Sequence, residues 1–236
     1  EAPWPSGALP AGPAAPEEAR WGVARLNAPA VWKEGDRASM GGGVRVAVID
    51  SGIDCSHPDL SCDYKDGYNA VDSKEPPKDD NGHGTHVAGI IAARKDGKGV
   101  AGVAPLARVL PVKVLDKDGN GWLTSIVKGL VWAARNDVQV VNMSLGSGSG
   151  NFIMHWAVKY ARARGVTLIA AAGNEGPKDG TVSYPGAYEE TLAVGASDRA
   201  DAAADFSSRG PQVDLIAPGV SIRSTVPGGG YAEMDG

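Results

Sequence analysis

The sequence predicts an α/β fold, doubly wound, with a mainly parallel sheet and helices on both faces. Three observations carry that reading. β-rich runs alternate with segments of helical period along most of the chain, and strand, helix, strand in series builds a parallel sheet through right-handed crossovers. The runs are apolar nearly throughout, as VRVAVI (44–49) and VQVVNMSL (138–145) illustrate, which is the pattern of strands buried on both faces. Some run straight into an acid or an amide among small residues, Asp50-Ser51-Gly52 after the first and Gly173-Asn174 after VTLIAAA, and open α/β sheets carry their chemistry at the carboxyl ends of strands.

Residues 1–19, rich in Pro, Ala and Gly without a period, read as an extended N-terminal arm, and residues 20–236 as one domain. Trp21, Val23, Leu26, Val31 and Trp32 give the next segment an apolar face, and Pro29 is placed to open a short helix. The run ending at Asp50 is the first buried strand. A polar loop leads to a helix over 86–93, then to a strand over 107–115 and a helix over 123–135. The strand at 138–145, a helix over 152–164 and the strand at 166–174 continue the alternation. Beyond Pro177, TLAVGA (191–196), VDLIAP (213–218) and VSIRST (220–225) read as strands between Gly/Pro turns.

Composition excludes several classes of function. With 42% hydrophobic and 22% charged residues among 236, the chain can bury a large core. A net charge of −5 and no basic stripe interleaved with aromatics argue against nucleic acid as a partner. No apolar run approaches the roughly 18 residues of a membrane span. Cys55 and Cys62, close together in a polar loop, are either a small disulfide loop of an exported protein or two free thiols.

The chemistry centres on Asp50 and on NGHGTHVAGIIA, Asn81 to Ala92. A His serves as general base near neutral pH, and a buried carboxylate fixes its tautomer and stabilises the imidazolium it becomes. Gly82 and Gly84 on either side of His83 let backbone and substrate approach the ring. His83 and His86 also form an H-x-x-H pair, but no Glu and no third ligand accompanies them, which argues against zinc. Asn142 and Asn174, at the ends of two apolar strands, suit either oxyanion donation or Asn-assisted turns. Two motif matches are coincidental. GKGVAG (97–102) follows a helix and precedes a strand, the reverse of a dinucleotide site. DKDGNG (116–121) opens like an EF-hand loop, but its twelfth position is Val127 rather than an acid.

VAVIDSGID, NGHGTHVAG, VVNMSLG, AAAGNEG, FSSRGP and APGVSI, in that order, resemble the motifs of the subtilisin-like serine peptidases, from about Trp21 to Gly236. The resemblance implies that Asp50 is the orienting acid, His83 the general base and acid, and Asn174 the side-chain donor of the oxyanion hole. It implies a substrate pocket with Ser144, Leu145 and Gly146 as one wall and Ala171, Ala172 and Gly173 as the other. Gly119, Asn120 and Gly121 match the strand to which substrate backbone adds. Ser183 falls where relatives often carry Gly at the pocket floor, so a shallower, more polar pocket is expected, with Glu175 at its rim.

The family's nucleophile lies in a Gly-Thr-Ser-Met-Ala motif, and this chain ends YAEMDG, at the first residue of that motif. The expectation is therefore a partial record of a longer enzyme, lacking the C-terminal helices and the Ser, inactive as it stands and with apolar strand faces exposed. The resemblance further implies a structural calcium ion held by Asp59, Asp96, the carbonyls of Arg94, Lys98 and Val100, and Glu17 of the arm. A weaker cation site would use the carbonyls of Gly186, Tyr188 and Thr191 with Asp198. The implied protein is a secreted monomeric endopeptidase acting on polypeptides, with the arm as the remnant of an inhibitory pro-segment's junction. The rival reading is a non-catalytic relative that binds peptide along Gly119 to Gly121.

Overall fold

The computed structural model describes residues 21–33 and 35–236; the expected arm, and Glu17 within it, lie outside the described residues. In chain order the elements are α1 (Trp21–Arg25), α2 (Ala28–Val31), β1 (Arg45–Asp50), β2 (Tyr68–Asn69), α3 (His83–Ala92), β3 (Arg108–Lys113), α4 (Leu123–Arg135), β4 (Val140–Met143), α5 (Phe152–Ala163), β5 (Thr167–Ala171), β6 (Leu192–Ser197), β7 (Val213–Pro218), β8 (Ile222–Val226) and β9 (Gly230–Met234). The first seven strands form one sheet in the order β2-β3-β1-β4-β5-β6-β7. Every pairing in it is parallel.

The parity of β1 explains both its composition and the position of Asp50. Ala47 and Ile49 join one apolar cluster with α4 and α5, whose buried faces supply Leu130, Ala133, Met154, Ala157, Val158 and Ala161. Val46 and Val48 join a second cluster with Val87, Ala88 and Ala92 of α3. A strand covered on both faces has no position left for an exposed polar side chain. Asp50 has the parity of Val46 and Val48, so it projects on the α3 side of the sheet.

Helix α3 begins at His83, three residues before the start expected from the sequence. Its first turn lies hard against the end of β1. A Cβ added at Gly84 would stand 2.1 Å from the carbonyl oxygen of Gly52 and 3.2 Å from the Asp50 carboxylate, so only glycine allows this approach.

Strand β8, expected simply as another strand, pairs instead with β9 in a separate antiparallel hairpin, a strand the sequence did not signal. The hairpin is latched to α3. Ser224 Oγ donates to the carbonyl of His86 (2.7 Å) and Thr225 Oγ1 to that of Thr85 (2.8 Å). His86, 3% exposed, returns the contact by donating from Nε2 to the carbonyls of Ile222 (3.0 Å) and Ala232 (3.1 Å). At the far edge of the sheet, Leu215 and Ile216 of β7 remain half exposed.

Burial lowers the pKa of His86 from 6.5 to about 4, because the apolar surroundings disfavour the imidazolium. The unfolded chain binds this proton near pH 6.5 and the folded chain does not. The contribution of neutral His86 is therefore complete above pH 6.5 and is lost as pH falls toward 4, by on the order of 3 kcal/mol. Denaturant unfolding at pH 7 and pH 4 should show this loss, and His86→Gln, which cannot take up the proton, should lose stability less steeply over the same interval. Equal pH dependence in the two proteins would contradict the assignment.

Candidate active site

Because the sheet is parallel, the carboxyl ends of β1, β3, β4 and β5 lie along one edge, and the loops leaving them lie side by side there. Asp50 ends β1 with no exposure to solvent. His83, 33 residues on in the sequence, opens α3 beside it, and its Nδ1 lies 2.8 Å from Oδ1 and 2.9 Å from Oδ2 of Asp50. The backbone N–H of Ser51 also donates to Asp50 Oδ1, at 2.7 Å. With the Nδ1 proton shared by the carboxylate, Nε2 becomes the basic nitrogen of the ring. The carboxylate is buried while the imidazole is 40% exposed. The inner partner is thus shielded from water and the outer one is accessible.

The remaining predicted site residues lie along the same edge. Asn174 lies exposed, three residues beyond the end of β5, two strands from β1 in the sheet order. Ser144, Leu145 and Gly146 leave β4, while Ala171 ends β5 and Ala172 and Gly173 leave it. Ser183 closes the space between them. Its N–H donates to the Ala172 carbonyl at 2.8 Å, and Cβ atoms added at Gly146 and Gly173 would meet its side chain at 2.8 and 2.6 Å. Glu175 is exposed, with its N–H bonded to Ser208 Oγ at 3.0 Å.

On the other flank, Gly119, Asn120 and Gly121 fold back on the end of β3. The Asp116 N–H donates to the Asn120 carbonyl at 2.8 Å, and Gly121 bridges to Leu115. Asn81 Nδ2 ties this loop to the His83 segment through the Lys117 carbonyl, 3.1 Å away.

The serines of the other motifs are engaged elsewhere. Ser144 Oγ accepts from Asn142 Nδ2 at 2.9 Å, Ser207 Oγ from the Ala196 N–H at 2.9 Å, and Ser208 Oγ from the Glu175 N–H. His86 is not paired with His83 for a metal, since its Nε2 proton is committed to two carbonyls of the hairpin.

The 94–100 loop stands apart, at the other end of α3, about 15 Å away by helix rise. The Arg94 N–H bonds the carbonyl of Asp59 at 2.8 Å. Asp59, 3% exposed, accepts at Oδ2 from the Val100 N–H (3.1 Å) and the Tyr231 hydroxyl (2.7 Å). Asp96 Oδ1 accepts from the Lys98 N–H at 3.1 Å. Burial, the hydrogen bond to Asp59 and the charges of Asp59 and Asp96 push the Tyr231 pKa well up, so both carboxylates act on one small region.

A Cβ at Gly99 would stand 2.1 Å from Asp59 Oδ2 and from the Tyr231 hydroxyl, and φ there is +59°. Glycine alone lets the loop close over Asp59. Carboxylate and carbonyl oxygens in a tight loop suit a hard cation, although no group of three or more His, Cys, Asp or Glu side chains assembles among the described residues. Cys55 and Cys62 are joined by a disulfide that brackets Asp59. The carboxylate of Asp198 caps its own turn, accepting from the N–H groups of Ala200 and Ala202 at 2.8 and 3.0 Å.

Three buried polar residues to which no motif assigns a role lie beneath the Asp50–His83 pair: Ser51, Asp79 and Lys113. Lys113 Nζ donates to the carbonyls of Ser51 (2.8 Å) and Leu115 (2.9 Å) and to Asp80 Oδ1 (2.6 Å). A lysine inside the doubly covered strand VLPVKV was the available signal, because such a charge must be fully paired.

The sequence model of the Subtilase family matches residues 41–236. Subtilisin BL of Lederbergia lenta is 46% identical over 216 residues, covering 92% of this chain and 77% of that protein. A subtilisin of Bacillus pumilus is 46% identical over 219 residues, with 92% and 78% covered. An alkaline protease of Shouchella clausii is again 46% identical over 216 residues, and there this chain spans 55% of the longer relative. With the matched residues containing every strand of the sheet and both members of the buried Asp–His pair, the chain belongs to the subtilase family.

Proposed function

We propose that the protein is a serine endopeptidase that cleaves polypeptides through an acyl-enzyme, with Asp50 as orienting acid and His83 as general base. The observation that carries this reading is the hydrogen bond from His83 Nδ1 to a fully buried Asp50 at the carboxyl edge of a parallel sheet. The nucleophile is a serine two residues after Gly236 in the full-length protein. His83 Nε2 takes its hydroxyl proton as the oxygen attacks the scissile carbonyl carbon, then returns the proton to the leaving amine. A water molecule repeats the sequence to release the acid. Asn174 Nδ2 donates to the oxyanion of each tetrahedral intermediate.

Substrate backbone adds as a strand along Gly119, Asn120 and Gly121, and a side chain enters between the 144–146 and 171–173 walls. Ser183 at the floor favours small or polar side chains over large apolar ones. Residues 20–236 serve as one peptidase domain, with 1–19 as its arm. The Cys55–Cys62 disulfide suits an oxidising, extracellular setting. No helix among the described residues is long and apolar enough to cross a membrane.

A fluorophosphonate probe should label the full-length protein on that serine, and His83→Ala should abolish the labelling. Labelling of Ser144, Ser207 or Ser208, or none at all, would refute the assignment, the second outcome favouring a peptide binder that does not cleave.

Calcium in the 94–100 loop, held by Asp59, Asp96 and the carbonyls of Arg94, Lys98 and Val100, supplies a charge centre that fixes the loop. At one hundred times its Kd such an ion adds about 2.7 kcal/mol, roughly 5–10 °C in Tm for a domain of this size. Chelation should lower Tm by that amount, and Asp96→Ala should remove the response. A chelator-independent Tm would count against these ligands.

A further inference from the structure

Asp79 lies outside the catalytic pair, yet its carboxylate is 3% exposed and accepts five hydrogen bonds. Oδ1 takes the Ser51 hydroxyl (2.9 Å), the Asn81 N–H (3.0 Å) and the Gly82 N–H (2.8 Å). Oδ2 takes the N–H of Thr85 (2.9 Å) and its hydroxyl. The bonds to Gly82 and Thr85 satisfy donors at the mouth of α3, as any helix cap does. The bond to Ser51 does something a cap does not require, because it reaches across to the end of β1.

Ser51 connects the two halves of the pair. Its N–H donates to Asp50, its hydroxyl donates to Asp79, and the same oxygen accepts from the Gly84 N–H at 2.9 Å. Its carbonyl accepts from Lys113. The residue after Asp50 and both neighbours of His83, Gly82 and Gly84, are therefore tied to one buried carboxylate directly or through one hydroxyl. Two elements separated by a long polar loop are clamped at the point where acid and base meet.

We propose that Asp79, acting through Ser51, is the positioning residue that sets the Asp50–His83 distance, and so tunes the general base without touching substrate. The proposal rests on the peptidase reading for its kinetic consequence but not for its structural one. Proton transfer depends steeply on placement, and a misplacement of 1 Å can cost about 100-fold. Asp79→Asn keeps the shape and places an NH2 group where N–H donors converge, so one arm of the clamp opens. Ser51→Ala cuts the bridge while leaving the Gly82 and Thr85 bonds intact.

The test uses the full-length protein, a peptide p-nitroanilide and proton NMR of the downfield N–H of a histidine bonded to a carboxylate. Asp79→Asn should lower kcat about 10- to 100-fold with KM within twofold, and should shift or broaden the His83 N–H resonance. Ser51→Ala should do the same more weakly, and the double variant should fall short of the product of the two effects. A purely capping role predicts lower Tm, an unmoved resonance, loss of activity only in proportion to the folded fraction, and independent effects; that result overturns the proposal. Should Asp79→Asn fail to fold, Ser51→Ala decides by the same two readouts. If the wild-type protein shows the resonance but hydrolyses nothing, the peptidase reading fails, and the response of the resonance alone decides the role of Asp79.

Discussion

Burying a carboxylate at the end of a sheet strand is expensive unless its oxygens are satisfied, on the order of several kcal/mol for an unpaired ion. Asp50 is in that position, without solvent and surrounded by the strand ends of β3 and β4. What satisfies it are the Ser51 N–H and the His83 imidazole. That requirement fixes where α3 must start, how closely its first turn must approach β1, and which nitrogen of the imidazole remains basic. The absence of a side chain at Gly84 and the parity of β1 both follow from the same contact.

Around this contact the molecule divides its tasks. Two apolar clusters, one on each face of the sheet, hold β1, β3, β4 and β5 rigid, so that their carboxyl ends present loops with fixed separation. The loop leaving β3 lies on one side of the pair, and those leaving β4 and β5 lie on the other. The 94–100 loop and the β8–β9 hairpin brace α3 from its far end and its flank, through Asp59, Tyr231 and His86. Precision at His83 is thus supported from the sheet edge, the helix and the hairpin at once, which is how a rigid scaffold holds reactive geometry.

Strands buried on both faces are legible because they leave no polar positions: β1, β4 and β5 all fall within the apolar runs read from the sequence. Helix α4 carries its period without glycine or proline at its ends and spans the residues expected. The start of α3, three residues before the one expected, is not legible locally, since GHG holds two glycines and no apolar residue. What begins the helix there is Asp79 and Ser51, a tertiary arrangement that no local pattern announces. The hairpin partner GYAEM was equally silent, being shaped by its pairing with β8 and by the docking of that hairpin on α3 rather than by alternation. Asp198 Oδ1 accepts from the N–H groups of Ala200 and Ala202 in its own turn, a local role that its place in the sequence does not distinguish from that of a ligand. The clamp under the pair was invisible for a simpler reason: a polar residue in a loop announces burial only once its donors are known.

The buried acid governs the imidazole. Replacing Asp50 by Asn keeps shape and burial but removes the charge and allows the wrong tautomer of His83. In the full-length protein, kcat toward a peptide p-nitroanilide at neutral pH should then fall by about 10⁴-fold with little change in KM, the size seen when the acid is removed from other triads, subtilisin's included. Retention of kcat within tenfold of the wild-type value would contradict it.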